Sequence, residues 1–249
     1  MAAAGGTFLV RIVLCWMVPA LAAGGLITSC SAENGAKPSA GTPSVVSPGA
    51  TGSPTCSPAP APVKIDKPPK GAPVGKPALR KELLAMLVQD QAVRTGKAPP
   101  GDKRTPEELA AAWPSTDLAH AQRMTKILDE HGWPGWDLVG SDGAHAAWVL
   151  IQHADLDLPL QERGLALMKD AVSADDADPS DLAYLVDRVR VAKNEPQVYG
   201  TQWGKNEAGK LTPRTPIEDE AMVDVRRAEV GLGTLDTYLE ELAKAFGER

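Results

Sequence analysis

Four consecutive residues, Gln152-His153-Ala154-Asp155, set an amide, an imidazole and a carboxylate into an otherwise apolar stretch. Burying such groups without partners costs about 1–3 kcal/mol each, so each of them must meet something. An imidazole oriented by a carboxylate can act as a general base or a metal ligand. Adjacent residues do not share a helix face, so the carboxylate has to come from another segment rather than from Asp155. Asp187 and Arg188 are candidates, with Tyr184 one turn earlier, on a segment whose apolar stripe is Leu182, Leu185, Val186 and Val189. Ordinary alternatives stand beside these readings: His153 bonded to backbone, Asp155 at a helix end, and Asp187–Arg188 as a surface ion pair worth under about 1 kcal/mol.

Other polar residues carry less. Asp90 and Arg94 extend an apolar stripe at i, i+4 spacing, so their charges point inward, and a buried structural pair explains them. Arg226 and Arg227 fall on a late helix, where dipole and solvation account for them as well as a ligand would. His131 ends a helical stripe, where the dipole stabilises an imidazolium. Trp133 and Trp136 flank Pro134 and either stack on a sugar or peptide or close the core. His120 and His145 read as solvent-facing. A Gly-rich phosphate loop, a nucleophile-elbow serine, a His-Glu-x-x-His pair and an acidic calcium loop are all absent from the sequence, so neither a metal nor a cofactor is expected.

The elements that must position these residues are helical by periodicity. Leu79, Leu83, Met86 and Leu87 form one stripe, and Leu118, Ala121, Met124 and Leu128 form another, stopped by Gly132 and Pro134. The stretch 144–154 is apolar on almost every side, which predicts a buried central helix. Further helices are predicted near 160–173, 180–192, 219–230 and 234–246. Between Gln197 and Ile217, Val198–Trp203 and Lys210–Thr212 flank a polar turn and predict a β-hairpin. Residues 97–113 look irregular. The fold class is therefore all-α, a mostly helical single domain over 79–249 with one small hairpin.

What precedes the domain reads as an address. Arg11 is followed by an apolar run from Ile12 to Ile27, about 16 residues, short of the roughly 20 a spanning helix needs and interrupted by Pro19, Gly24 and Gly25. Its end, Leu26-Ile27-Thr28-Ser29-Cys30, resembles the bacterial lipobox. That resemblance implies a signal peptide over 1–29, lipid on Cys30 and a membrane-anchored protein on the extracytoplasmic face. Residues 31–78 hold 11 Pro and 6 Gly, a composition of low-complexity linkers. Cys30 and this stretch together make a lipidated, disordered tether over 30–78, spanning roughly 40 Å if it is a flexible coil. Cys15 would leave with the leader, and Cys56 would remain as the one thiol, in the tether. The chain carries a formal net charge of −6. Setting aside Arg11 and a tether with five lysines against Glu33 and Asp66 leaves −10 over 79–249, which argues against nucleic acid.

In order, His131-Gly132-Trp133-Pro134, Val139-Gly140, Ala147-Trp148, Gln152-His153-Ala154-Asp155, Ala183-Tyr184-Leu185-Val186-Asp187-Arg188, Gln197-Val198-Tyr199-Gly200-Thr201-Gln202 and Arg227 before Gly231-Leu232 resemble a bacterial family of secreted domains catalogued only as a domain of unknown function. The resemblance covers about 80–245 and brings no activity with it. It implies that Gln152, His153, Asp155, Asp187, Arg188, Tyr199, Gln202 and Arg227 match the family's polar pattern. Two functions of different kind follow. One is a module binding a cell-wall component or envelope protein in a polar pocket of the 152–155 segment and the hairpin. The other is a hydrolase using His153 with an acidic partner such as Asp187.

Overall fold

The helix Trp136–Gln152 organises the domain, because its second half has no polar face: from Gly143 to Gln152 every residue but His145 is buried. Such a helix must be covered all round. In the computed structural model, which describes residues 60–68 and 72–247, it is. The described elements run α1 (Pro77–Thr95), α2 (Pro106–His131), α3 (Trp136–Gln152), α4 (Leu158–Ser173), α5 (Pro179–Ala192), β1 (Trp203–Lys205), β2 (Leu211–Pro213), a 3-10 turn (Glu220–Met222), α6 (Val223–Glu229) and α7 (Leu235–Ala245). Helices α1, α2, α4 and α5 all pack on α3. Leu83, Met124, Ile127, Trp148, Ile151 and Leu185 are sealed between them, each worth about 1.5–3 kcal/mol of burial. The all-α class with a single two-stranded antiparallel sheet is what the structure shows.

Local chemistry sets the boundaries, and in two places departs from the periodicity reading. The stretch 97–113 is helical from Pro106 onward. Thr105 and Glu108 form a reciprocal capping box, and Pro106 occupies the first turn, where its missing N–H costs nothing. Pro114 lies inside the same helix, and the hydroxyls of Ser115 and Thr116 both donate to the Ala112 carbonyl there. Leu118 is exposed rather than in the stripe, so the buried face of α2 is Ala121, Met124, Ile127 and Leu128. Inside α3, Gly140 adopts φ +74° and breaks the helix into two pieces. A Cβ there would lie 3.2 Å from Val74, so glycine permits both the kink and the close approach.

The stretch just before α1 lies on the domain. Gly75 and Lys76 donate to the carbonyls of Asp137 and Leu138, Val63 donates to Ala228, and Ile65 packs on the core. Val63, Ile65, Gly75 and Lys76 of the tether thus have defined partners. Readings on the leader, Cys30, Cys56 and the tether at 30–59 and 69–71 lie outside the described residues. Among the described residues no helix is long and apolar enough to cross a membrane.

The hairpin pairs Trp203 with Pro213 and Lys205 with Leu211. Its polar turn is built on Asn206, whose carboxamide oxygen accepts from Ala208 and Lys210. The strand begins at 203 rather than 198, because residues 198–201 are folded over a buried carboxylate instead.

Candidate functional site

Helix α3 ends at Gln152, and His153 caps it, donating its N–H to the Val149 carbonyl. Asp157 opens α4 by accepting from the Leu160 N–H, so only a tight connection separates the two helices. That connection holds the His153 ring inside, at 6% exposure, and Asp155 outside with a half-exposed carboxylate.

The carboxylate that meets His153 is Asp90 of α1. Nδ1 lies 2.9 and 3.0 Å from its two oxygens. Asp90 is fully buried and also accepts from Arg94 Nε at 2.9 Å and from Gln91 Nε2 at 2.8 Å. Arg94 reaches on to Asp117 of α2 at 2.8 Å and lies over the Trp113 ring, while Trp113 donates its indole N–H to Asp117 at 2.7 Å. Burial pushes the Asp90 carboxyl up, but His153 and the permanently charged Arg94 together hold it below the ordinary carboxylate range. Burial likewise pushes the His153 imidazole down, against the pull of Asp90. The consistent state is an ionised Asp90 and a neutral His153 that donates through Nδ1–H. Nε2 is then left as a lone-pair acceptor, the group a general base or a hydrogen-bonding ligand site requires. Among the described residues only Asp90 bonds the ring.

Beside this pair lies a second one. Arg188 of α5 grips Asp155 through both carboxylate oxygens, Nε at 2.8 Å and Nη2 at 2.6 Å, and reaches Gln202 Oε1 at 3.2 Å. Such a forked contact fixes direction as well as charge. Gln161 of α4 donates to the Gln152 carbonyl and to Asp155. Among the described residues the buried Gln152 side-chain oxygen has no hydrogen-bond partner, nor has His120 Nε2.

Asp187 does not approach His153 in this way. Its two oxygens accept from the N–H groups of Val198, Tyr199 and Thr201 and from the Thr201 hydroxyl. It is the floor under the 197–202 loop. The Gln197 side chain there donates to the Gln202 carbonyl and accepts from the Gln202 N–H. Gly200 takes φ +64°, and a Cβ on it would come within 2.7 Å of Ile217, so this bend admits glycine alone. Arg227 is buried, not solvated: it donates to the carbonyls of Tyr199 and Gly233 and lies over the Tyr238 ring. Arg226 donates to the carbonyls of Val198, Glu218 and Asp219. Tyr199 enters this network through its backbone.

The eight residues singled out by the motif series therefore divide. Gln152, His153, Asp155, Arg188 and Gln202 gather round the α3–α4 connection, whereas Asp187, Arg227 and the Tyr199 backbone hold the loop that presents Gln202. Asp90, the partner of His153, was legible only as an inward-facing charge. Asp117 and Trp113 sit in or beside the stretch read as irregular. His120 is buried rather than solvent-facing, and His145 is half-buried and bonded to Asp181 at 3.0 Å. Trp133 and Trp136 are buried and line a cavity of about 230 Å³, none of whose lining residues belongs to the His153 network. His131 ends α2 within 3.6 Å of Glu130.

Both buried histidines make stability pH-dependent. Burial pushes His120 down as it does His153. An unfolded histidine takes its proton near pH 6.5, while the folded protein resists doing so until lower pH. Their contribution is therefore present above about pH 6.5 and lost as the pH falls, by up to about 1.4 kcal/mol per pH unit for each histidine. The carboxyls of Asp117 and Asp187, pushed up by burial, act in the opposite sense at lower pH. The measurement is accordingly a difference: between pH 7 and pH 5.5 or so, urea midpoints of His120→Gln and His153→Gln should fall less than those of the wild type. Parallel slopes would show that neither imidazole is held neutral.

The fold and the site define a class, an all-α domain whose central buried helix ends in a histidine oriented by a carboxylate of the first helix. Over residues 77–249 the chain matches a family of unknown function, DUF6624, and it belongs to that family. No curated protein and no solved structure matches it.

Proposed function

We propose that this chain is an exported bacterial lipoprotein, cut before Cys30 and held by lipid at the outer face of the membrane. Its helical domain binds a small polar component of the cell envelope at the α3–α4 connection. The observation that carries the binding site is the Asp90–His153 contact, which sets the tautomer and leaves Nε2 as an acceptor beside the Asp155–Arg188 fork and Gln202. Acceptor, anion, cation and amide within one patch suit a ligand rich in hydroxyl and amide groups. The same contact favours a second reading, in which His153 is the general base of a hydrolase with Asp90, rather than Asp187, as its orienting acid.

One experiment separates these readings. The full chain is incubated with a solubilised digest of the native envelope, and both the retained and the released components are weighed by mass spectrometry. Binding predicts a component retained unchanged by wild type and lost from His153→Gln, whose melting temperature stays within a few degrees. Hydrolysis predicts product masses that need His153. Neither signal from wild type would sink both readings. The anchor is tested by intact mass on the membrane fraction: wild type should carry acyl mass and Cys30→Ala should carry none. An unmodified wild type would overturn it.

A further inference from the structure

The cavity of about 230 Å³ shares none of its lining residues with the His153 network. Part of its wall is apolar and buried, formed by Trp136, Ala144, Met168 and Ala177. At that size it falls short of the roughly 300–1,000 Å³ that engulfs a drug-sized ligand. It suits one small group whose carrier stays outside.

Trp133 brings an unmet donor to this wall. It is 8% exposed, and its indole N–H is buried with no acceptor among the described residues. An indole nitrogen only donates. A buried donor left so costs about 1–3 kcal/mol, which an incoming acceptor recovers.

The neighbouring residues select the charge of that acceptor. An anion needs a cation, and the two basic side chains of the wall already sit on carboxylates, Lys67 on Asp178 and His145 Nδ1 on Asp181 at 3.0 Å. An ammonium would bring a donor to a donor. A neutral oxygen is what fits. A sugar hydroxyl would carry further hydroxyls into the apolar part of the wall, with a desolvation cost for each. An acetyl group carries one acceptor oxygen and one methyl, and so divides as the wall does.

We infer that this cavity is a binding site for a neutral acetamido group, whose carbonyl oxygen accepts from the Trp133 indole N–H and whose methyl lies against Trp136, Met168 and Ala177. An amino sugar and an N-acetylated amine both present that group. The inference uses no residue of the His153 reading, and either can fail without the other.

The test titrates the full chain with N-acetylglucosamine and N-butylacetamide, which carry the acetamido group on a sugar and on an alkyl chain. Glucose and glucosamine, which lack it, are the controls. Nuclear magnetic resonance of the indole N–H protons follows binding, and the Trp133 signal is assigned by its loss from Trp133→Phe. At least one acetamide probe should move that signal downfield at millimolar concentration, the weak binding expected of so few atoms. Neither control should move it. A response to N-acetylglucosamine alone assigns the carrier to a sugar, and a response to N-butylacetamide shows that the acetamido group suffices. Trp133→Phe keeps an aromatic wall without the donor and should bind the same probe about tenfold more weakly, its melting temperature showing that it folds. Should it not fold, the wild-type signal and the two controls still decide. Three results would overturn the proposal: a Trp133 signal that neither acetamide probe moves, glucose or glucosamine binding as tightly as N-acetylglucosamine, or undiminished binding to a folded Trp133→Phe.

Discussion

Asp90→Ala is expected to lower the unfolding free energy of the domain by about 3–5 kcal/mol, the cost of leaving a buried charge without its partner. Asp90 is fully buried and accepts from His153, Arg94 and Gln91 at once. Without it, Arg94 keeps only Asp117, and the His153 Nδ1–H faces an apolar gap. Urea denaturation followed by circular dichroism measures the loss. Removing the whole network is a different change from breaking it. Asp90→Leu combined with Arg94→Met and His153→Leu should recover most of the wild-type stability, since a buried ion network and a well-packed apolar one are often close in free energy. A triple variant that is stable yet no longer retains the envelope component would show that the network is kept for its chemistry. A single Asp90→Ala variant as stable as wild type would show that Asp90 is not the buried partner described above.

The second large effect is expected at Asp187. Asp187→Ala strips the acceptor from three backbone N–H groups and one hydroxyl, all in residues 198–201. Each such donor left buried costs about 1–3 kcal/mol. The loop can instead open to water, which limits the loss to about 3–5 kcal/mol. Opening also releases the carbonyls of Tyr199 and Thr201 from Arg227 and Tyr238. Hydrogen exchange should therefore speed up first at Val198, Tyr199 and Thr201, before the amides of α3 respond. Asp187→Asn, which keeps one acceptor oxygen, should fall between. If Asp187→Ala abolished ligand retention while leaving stability and exchange unchanged, Asp187 would belong to the site rather than to its scaffold.

These two carboxylates show where a linear reading stops. Asp187 sits in a polar motif and invites a chemical role, yet in the structure it accepts from three backbone N–H groups and the Thr201 hydroxyl. Asp90 sits with Arg94 on an apolar stripe and invites a structural role, yet it orients His153. Spacing along a helix says that a polar residue faces inward and must be satisfied. It does not say by whom, and the partner of Asp90 is 63 positions away. His120 reads as solvent-facing for a related reason: Leu118 has the spacing of a core position yet faces solvent, so the α2 pattern leaves the place of His120 ambiguous.

Local physics, in contrast, was legible. The run 144–154, apolar on almost every side, had to be a buried helix, and the helix found there ends at Gln152. Asn206 and Gly209 had to turn, and the flanking residues pair as a hairpin. The charge pair Asp90–Arg94, four residues apart on an apolar stripe, had to be internal, and it is. Even the start of α2 was written in the sequence as Thr105-Pro106-Glu107-Glu108, a capping signature masked by the prolines and glycine around it. The sequence alone thus determined the helical class, the extents of α1, α4, α5 and α7 and the need of each buried polar group for a partner, all properties of short-range periodicity and backbone valence. Only the tertiary structure decided that Asp90 meets His153, that Arg188 forks onto Asp155 and that Lys67 reaches Asp178. Those pairings join residues far apart in sequence, and the packing of several helices on α3 brings them within a hydrogen bond's length.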